Sequence, residues 1–196
     1  MGTEFERKYR ATAQDLAAIT VDIPGEAVLL QMQTTYYDSL DGSLSSRQWT
    51  LRRRLENEKS VCTLKIPAGA ARQEWEVECG SITEGISELC KLGAPEALAV
   101  FAQAGLIAIC GARFTRRAIT VPYEDSILEL ALDQGFLMGG DRELPLCEVE
   151  VELKEGSEAA CLAFAEDLAR RYRLTAEPVS KFGRALALYR GDPHGI

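Results

Sequence analysis

Strand-like segments recur along the chain at roughly 3–10, 29–38, 48–56, 60–66, 72–79, 113–121, 126–133 and 146–154, most of them alternating polar and apolar residues. Successive strand side chains point to opposite faces, so this period of two predicts eight β-strands. The period lengthens between them. Residues 12–20 form a short helical pattern, and 82–92 and 95–105 form a pair split by Gly93-Ala94-Pro95. In 157–173, Ala160, Phe164, Leu168 and Tyr172 recur every fourth residue and make a one-sided apolar stripe. "PVSKFGRALALY" reads as a last helix, with Pro178 near its start and Gly191 beyond its end. Turn signals stand at 41–43, 67–70 and 139–141. The expectation is one α+β domain over 1–196: an eight-stranded antiparallel β-barrel with helices packed outside.

The polar half of the alternation is unusual. Glu4, Glu6, Lys8 and Arg10 share one face of the first strand, and Arg52 and Arg54 share a face of the third. Lys65 follows on the fourth, and Arg72, Glu74, Glu76 and Glu78 line up on the fifth. Glu129 and Asp133 share a face of the seventh strand, and Glu148, Glu150 and Glu152 a face of the eighth. One charged face is the wet side of an ordinary antiparallel sheet. Here bases gather on some strands and acids on others. Carboxylates ~7 Å apart along one strand repel unless cations neutralise them. Facing Lys and Arg could do so, or a divalent ion that prefers oxygen ligands. Charged faces turned inward around a tunnel would hold a polyphosphate-like anion with its metal.

Composition narrows the chemistry. A formal net charge of −8 argues against nucleic acid as a partner, though a local cationic cleft can still capture a small anion. No apolar run approaches the ~20 residues of a membrane helix, so no membrane is expected. The six cysteines form no CxxC, and His194 is the only histidine, which leaves little for a zinc site. Reduced thiols in a cytoplasmic protein are the expectation.

Glu4-x-Glu6-x-Lys8 resembles the ExExK signature of the CYTH family, the triphosphate tunnel metalloenzymes. "TTYYDSLDGSL", "TLRRRLE", "TLK", "EWEVE", "FTRRAIT", "LELALDQG", "CEVEVELKEG" and "SKFGRAL" follow in the family's order, from Thr3 to about Tyr189. The family includes inorganic triphosphatases, thiamine triphosphatases and class IV adenylate cyclases. The resemblance implies that Lys8, Arg52, Arg54, Lys65 and Lys181 grip phosphates, together with Arg116 or Arg117, of which only one can face inward on a regular strand. It implies that Glu4, Glu6, Glu148 and Glu150 hold one or two Mg²⁺ or Mn²⁺ ions. Glu150 or Asp133 would align the attacking water, and Lys8 is counted with them as catalytic. Arg10, Arg53 and Glu78 read as rim charges, Trp49 and Trp75 as outward packing, and Asp38 as a turn residue.

With no histidine in the body of the chain, hydrolysis by charge neutralisation and a positioned water is the expected chemistry. "LELALDQG" and "CEVEVELKEG" look most like bacterial inorganic triphosphatases, so tripolyphosphate is the expected substrate. Thiamine triphosphatase, adenylate cyclase and a non-catalytic polyphosphate or nucleotide binder stand as alternatives. A homodimer is left open.

Overall fold

The computed structural model describes residues 5–23, 25–68 and 71–192. The elements run β1 (Glu6–Arg10), α1 (Ala13–Asp22), β2 (Ala27–Ser39), α2 (Ser43–Ser46), β3 (Thr50–Glu56), β4 (Lys59–Ala68), β5 (Ala71–Glu78), α3 (Ile82–Lys91), α4 (Ala97–Gln103), β6 (Leu106–Tyr123), β7 (Ser126–Gly139), β8 (Arg142–Glu155), α5 (Glu158–Tyr172), β9 (Thr175–Ala176) and α6 (Lys181–Arg190). One sheet takes the order β5-β4-β3-β2-β6-β7-β8-β1-β9. Every pairing in it is antiparallel. The α+β antiparallel architecture is as expected. Two details differ: β9 adds a ninth strand of two residues, and among the described residues no ladder joins β5 to β9. Among the described residues, the sheet curls around a cavity without a hydrogen-bonded seam.

β6 and β7 are longer than the alternation suggested. "LIAICGA" at 106–112 is nearly all apolar, so its pattern carries no period of two. It becomes strand by pairing with β2, from Ser39↔Leu106 back to Thr34↔Ala112. β7 continues through Gly135, where a Cβ would lie 2.2 Å from the Arg113 carbonyl oxygen of β6, so only glycine admits this approach.

Outward side chains form two cores on the convex face. Leu128, Leu130, Val149 and Val151 pack with Ile19 of α1 and Phe164 and Leu168 of α5. Leu51, Leu64 and Trp75 pack with Leu44 of α2, Leu89 of α3 and Leu98 of α4. The Trp49 ring meets Phe101 edge-on at 5.8 Å, on this convex side. Asp38 is a turn residue: its carboxylate accepts backbone N–H groups of Ser39 and Leu44 at 2.8 Å and Ser45 at 3.1 Å, which holds α2.

α6 corrects the expectation that all helices pack outside. Ala185, with Phe182 beside it, joins Met32, Tyr36, Ala112, Phe114, Leu137 and Leu146 in a third core. These strand residues share parity with the charged positions, so α6 lies on the concave face. The reason is visible along β8, whose inward face is apolar at Leu144 and Leu146 and acidic from Glu148 to Glu152. That apolar end needs a cover, and α6 supplies it. Among the described residues, no helix is long and apolar enough to cross a membrane. All six cysteines are free thiols.

Gly139 sets how closely α6 docks. A Cβ there would fall 2.4 Å from the Tyr189 backbone nitrogen and 2.7 Å from the Ala185 carbonyl oxygen. Gly139→Ala should push α6 off the sheet. Overpacking of this kind costs about 1–3 kcal/mol, about 2–12 °C in Tm for a domain of this size. Thermal unfolding followed by circular dichroism checks it, and an unchanged Tm would show that α6 is not tightly docked.

Candidate active site

The concave face encloses a cavity of about 580 Å³. One wall is basic. Thr34↔Arg54, Tyr36↔Arg52 and Arg52↔Thr63 are facing pairs, so Arg52 and Arg54 turn inward beside β2 and β4. Lys65 joins them one strand further on, 2.9 Å from Glu74. Arg54 meets Glu56 at 2.5 Å. Among the described residues, the Nε atoms of Arg52 and Arg54 are buried without a hydrogen-bond partner, as are those of Arg117 on the outer face and Arg184 behind the acidic wall. Burial and the adjacent Arg52 guanidinium depress the Arg54 pKa. Two crowded cations with spare donors are poised for an anion.

The other wall is acidic. Glu6↔Glu152 and Lys8↔Glu150 face each other across β1 and β8, and all four residues line the cavity. Lys8 lies 3.5 Å from Glu6. Behind this wall the side chains of Asp133 and Glu148 are 0% exposed. Arg116 donates to both Asp133 oxygens at 2.8 and 2.7 Å, and also to Glu150. Lys181, the first residue of α6, sits 2.9 Å from Asp133 and 2.7 Å from Glu150, and donates to Glu148. Arg184 donates to the other Glu148 oxygen. Burial works against the Glu150 charge, but Lys181 and Arg116 outweigh it and hold its carboxyl well below the usual range. Burial raises the Glu148 pKa against the pull of Lys181, with Glu150 adding to the rise. Burial also opposes the Lys181 charge, and Glu150, Asp133 and Glu148 more than offset it and raise its pKa.

The structure therefore gathers Glu6, Lys8, Arg52, Arg54, Lys65, Arg116, Glu150 and Lys181 around one cavity. It decides the open pair on β6. Arg116↔Asp133 faces inward, whereas Arg117↔Leu132 faces outward, beside Leu16 and Thr20 of α1. Arg117 is thereby withdrawn from the phosphate-gripping set: β6 is regular there, and neighbours on a regular strand face opposite ways. Asp133 and Glu148 point inward but do not reach the cavity surface, because Lys181 and Arg116 lie over them. Glu4 lies outside the described residues. Asp133, Glu148 and Glu150 bring carboxylate oxygens within 4.8 Å of one another, a group that could hold a metal ion. In this arrangement the cation among them is the Lys181 ammonium. Glu6, Glu150 and Glu152 place carboxylates, the donor type that Mg²⁺ prefers, on the cavity lining, although among the described residues only Asp133, Glu148 and Glu150 bring their oxygens together.

Two further groups were given no role from the sequence. Arg72 lines the cavity, and its shared parity with Glu74 was the available signal. Arg184 lies one helical turn after Lys181 on the same face, a spacing that could have found it.

The family model of the CYTH domain matches residues 2–186. The chain belongs to the CYTH family. An inorganic triphosphatase of Haemophilus influenzae is 29% identical over 144 residues, which are 71% of this chain and 40% of that protein. The chain thus spans well under half of that curated relative. Among solved structures, a putative adenylyl cyclase from Hippeastrum, described as having a dominant triphosphatase activity, superposes with a TM-score of 0.64 at 18% identity, covering 97% of this chain and 96% of that one. A putative adenylate cyclase from Bacillus halodurans gives 0.57 at 18% identity, covering 91% and 94%. At these identities the superpositions show the shared fold.

In this CYTH chain Lys181 is the shared cation of three carboxylates, and Lys181→Met should unbalance them. Breaking a buried ion pair costs about 3–5 kcal/mol, or about 6–20 °C in Tm. The pH dependence has a definite sign. The wild-type stability from the depressed Glu150 is present above its ordinary pKa of 4.5 and is lost as the pH falls below that. In the variant, Glu148 and Glu150 lose that partner and take up protons more readily when folded. The Tm gap should be widest near pH 7 and narrow towards pH 4. Thermal melts across that range check it, and a pH-independent gap would refute the ionic account.

Proposed function

We propose that this chain is a metal-dependent triphosphatase that hydrolyses inorganic tripolyphosphate inside the tunnel. The observation that carries the reading is the convergence of six cations, Lys8, Arg52, Arg54, Lys65, Arg116 and Lys181, on one cavity. A cavity of about 580 Å³ holds a compact anion of this class. The inorganic triphosphatase relative supports the same reading, limited to the part of it that aligns. A cytosolic location goes with it, since the cysteines are free thiols.

The roles follow from side-chain chemistry. Arg52 and Arg54 offer forked contacts to non-bridging phosphate oxygens, and Lys8, Lys65 and Lys181 offer point charges. Of the expected metal ligands Glu4, Glu6, Glu148 and Glu150, Glu6 and Glu150 line the cavity and, with Glu152 beside them, would hold Mg²⁺ or Mn²⁺, while Glu148 is buried behind Lys181. A bound ion of this kind neutralises phosphate charge and acts as a Lewis acid. Glu150 is the carboxylate at the cavity surface that orients the attacking water. Its depressed pKa makes it an acceptor of hydrogen bonds rather than a strong base at neutral pH. Asp133, the alternative for that role, is buried and paired with Arg116 and Lys181, so Glu150 is preferred.

Phosphate release from tripolyphosphate, with Mg²⁺, with Mn²⁺ and with chelator, tests the activity, run beside thiamine triphosphate and ATP. Tripolyphosphate should be turned over fastest and only with metal. Arg54→Ala should raise KM about ten- to a hundredfold, the loss of one charge-assisted hydrogen bond of ~1.5–3 kcal/mol, and Arg54→Lys should restore part of it. Binding of tripolyphosphate without release under any metal would make the chain a binding protein, and absence of binding would reject the reading.

A further inference from the structure

Glu177 and Arg184 do not line the cavity, and the proposed activity uses neither. Both are nevertheless buried, at 2% and 7% exposure. Ions withdrawn from water need partners, and here the partners join three elements. Glu177 lies between β9 and α6. Its backbone N–H donates to the Lys8 carbonyl at 2.8 Å. Its carboxylate accepts from Arg10 Nε of β1 at 2.5 Å and from the Val179 N–H at 2.9 Å. Arg184 of α6 lies 3.5 Å from Glu177 and donates to Glu148 of β8. The remaining Glu148 oxygen accepts from Lys181, one turn back along α6. The path from Arg10 through Glu177, Arg184 and Glu148 ends on a residue of the cavity wall.

We propose that Arg184 is a positioning residue for Lys181, acting through Glu148 and anchored by Glu177; the inference rests on the reading that Lys181 grips a phosphate anion. Lys181 opens the helix, where only its backbone and a four-carbon stem hold the ammonium, and that stem has rotamer freedom to lose. Glu148, buried behind it, would otherwise draw that ammonium inward. Arg184 neutralises Glu148 from the far side with a planar guanidinium. Lys181 stays bonded to Glu148 and Asp133, but it shares the Glu148 charge with Arg184 and so also reaches Glu150 at the cavity surface, where an anion can meet it. Glu177 keeps Arg184 in register with β1, the strand that carries Glu6 and Lys8, so both ends of the wall are held together.

The test is a double-mutant cycle on tripolyphosphate affinity, measured by calorimetry without metal so that turnover does not intrude. Coupled neighbours depart from additivity, and unconnected sites do not. Arg184→Met should weaken binding about tenfold in the wild-type background and less than about twofold in Lys181→Met. Arg184→Lys should recover part of the loss, which a purely space-filling role would not produce. Equal weakening in both backgrounds would overturn the inference and leave the anion site standing. Unchanged affinity in Lys181→Met alone, or no affinity in the wild type, would overturn both. Should Arg184→Met fail to fold, Glu177→Gln enters the same cycle with the same outcomes.

Discussion

Asp133, Glu148 and Glu150 crowd their oxygens within 4.8 Å of one another, and burial strips water from the first two. Such a group exists only if cations come to it. Three do, from two directions: Arg116 along the sheet, and Lys181 and Arg184 from α6. This requirement accounts for much of the architecture. α6 must enter the concave side, its first turn must stop beside β8, and Gly139 must be bare so that the helix can come close. Ser180 caps that turn by accepting the Gly183 N–H at 3.1 Å, which fixes where Lys181 begins.

The remainder of the tunnel is organised against this satisfied cluster. On the far wall the bases outnumber their acids, and Arg52 and Arg54 retain buried donors that no protein group fills. The buried carboxylates behind one wall are matched by cations, whereas the cations of the other wall exceed the carboxylates beside them. An anion entering the cavity meets attraction from β3 and β4 and is not repelled by Asp133 and Glu148, whose charge is already matched. At the apolar end the Tyr36 and Phe182 rings lie 4.9 Å apart and line the cavity.

The residues legible in the sequence were those whose side chains obey a local period. Glu6 and Lys8, Arg52 and Arg54, and Glu150 share a face because a strand alternates. Trp49 and Trp75 fell outward by the same rule, and Asp38 read as a turn residue because Asp beside Ser and Gly accepts nearby N–H groups. Where the period was silent, the reading stopped. "LIAICGA" carried no alternation, and β6 was cut short there. Arg116 and Arg117 are adjacent, and strand pairing alone assigned one to Asp133 and the other to the outside.

The sequence by itself determined which side chains could share a face, since alternation and helical spacing are properties of neighbouring residues. It determined the antiparallel α+β class and, through its ordered motifs, the CYTH family. Tertiary structure decided which face encloses the cavity, which carboxylates stay at its surface and which are sealed behind Lys181. It also decided that α6 lies within the concave side. These depend on pairs such as Arg184 with Glu148 and Arg10 with Glu177, separated by 36 and 167 residues. Charge matching at that range is settled only when packing has removed the water between them.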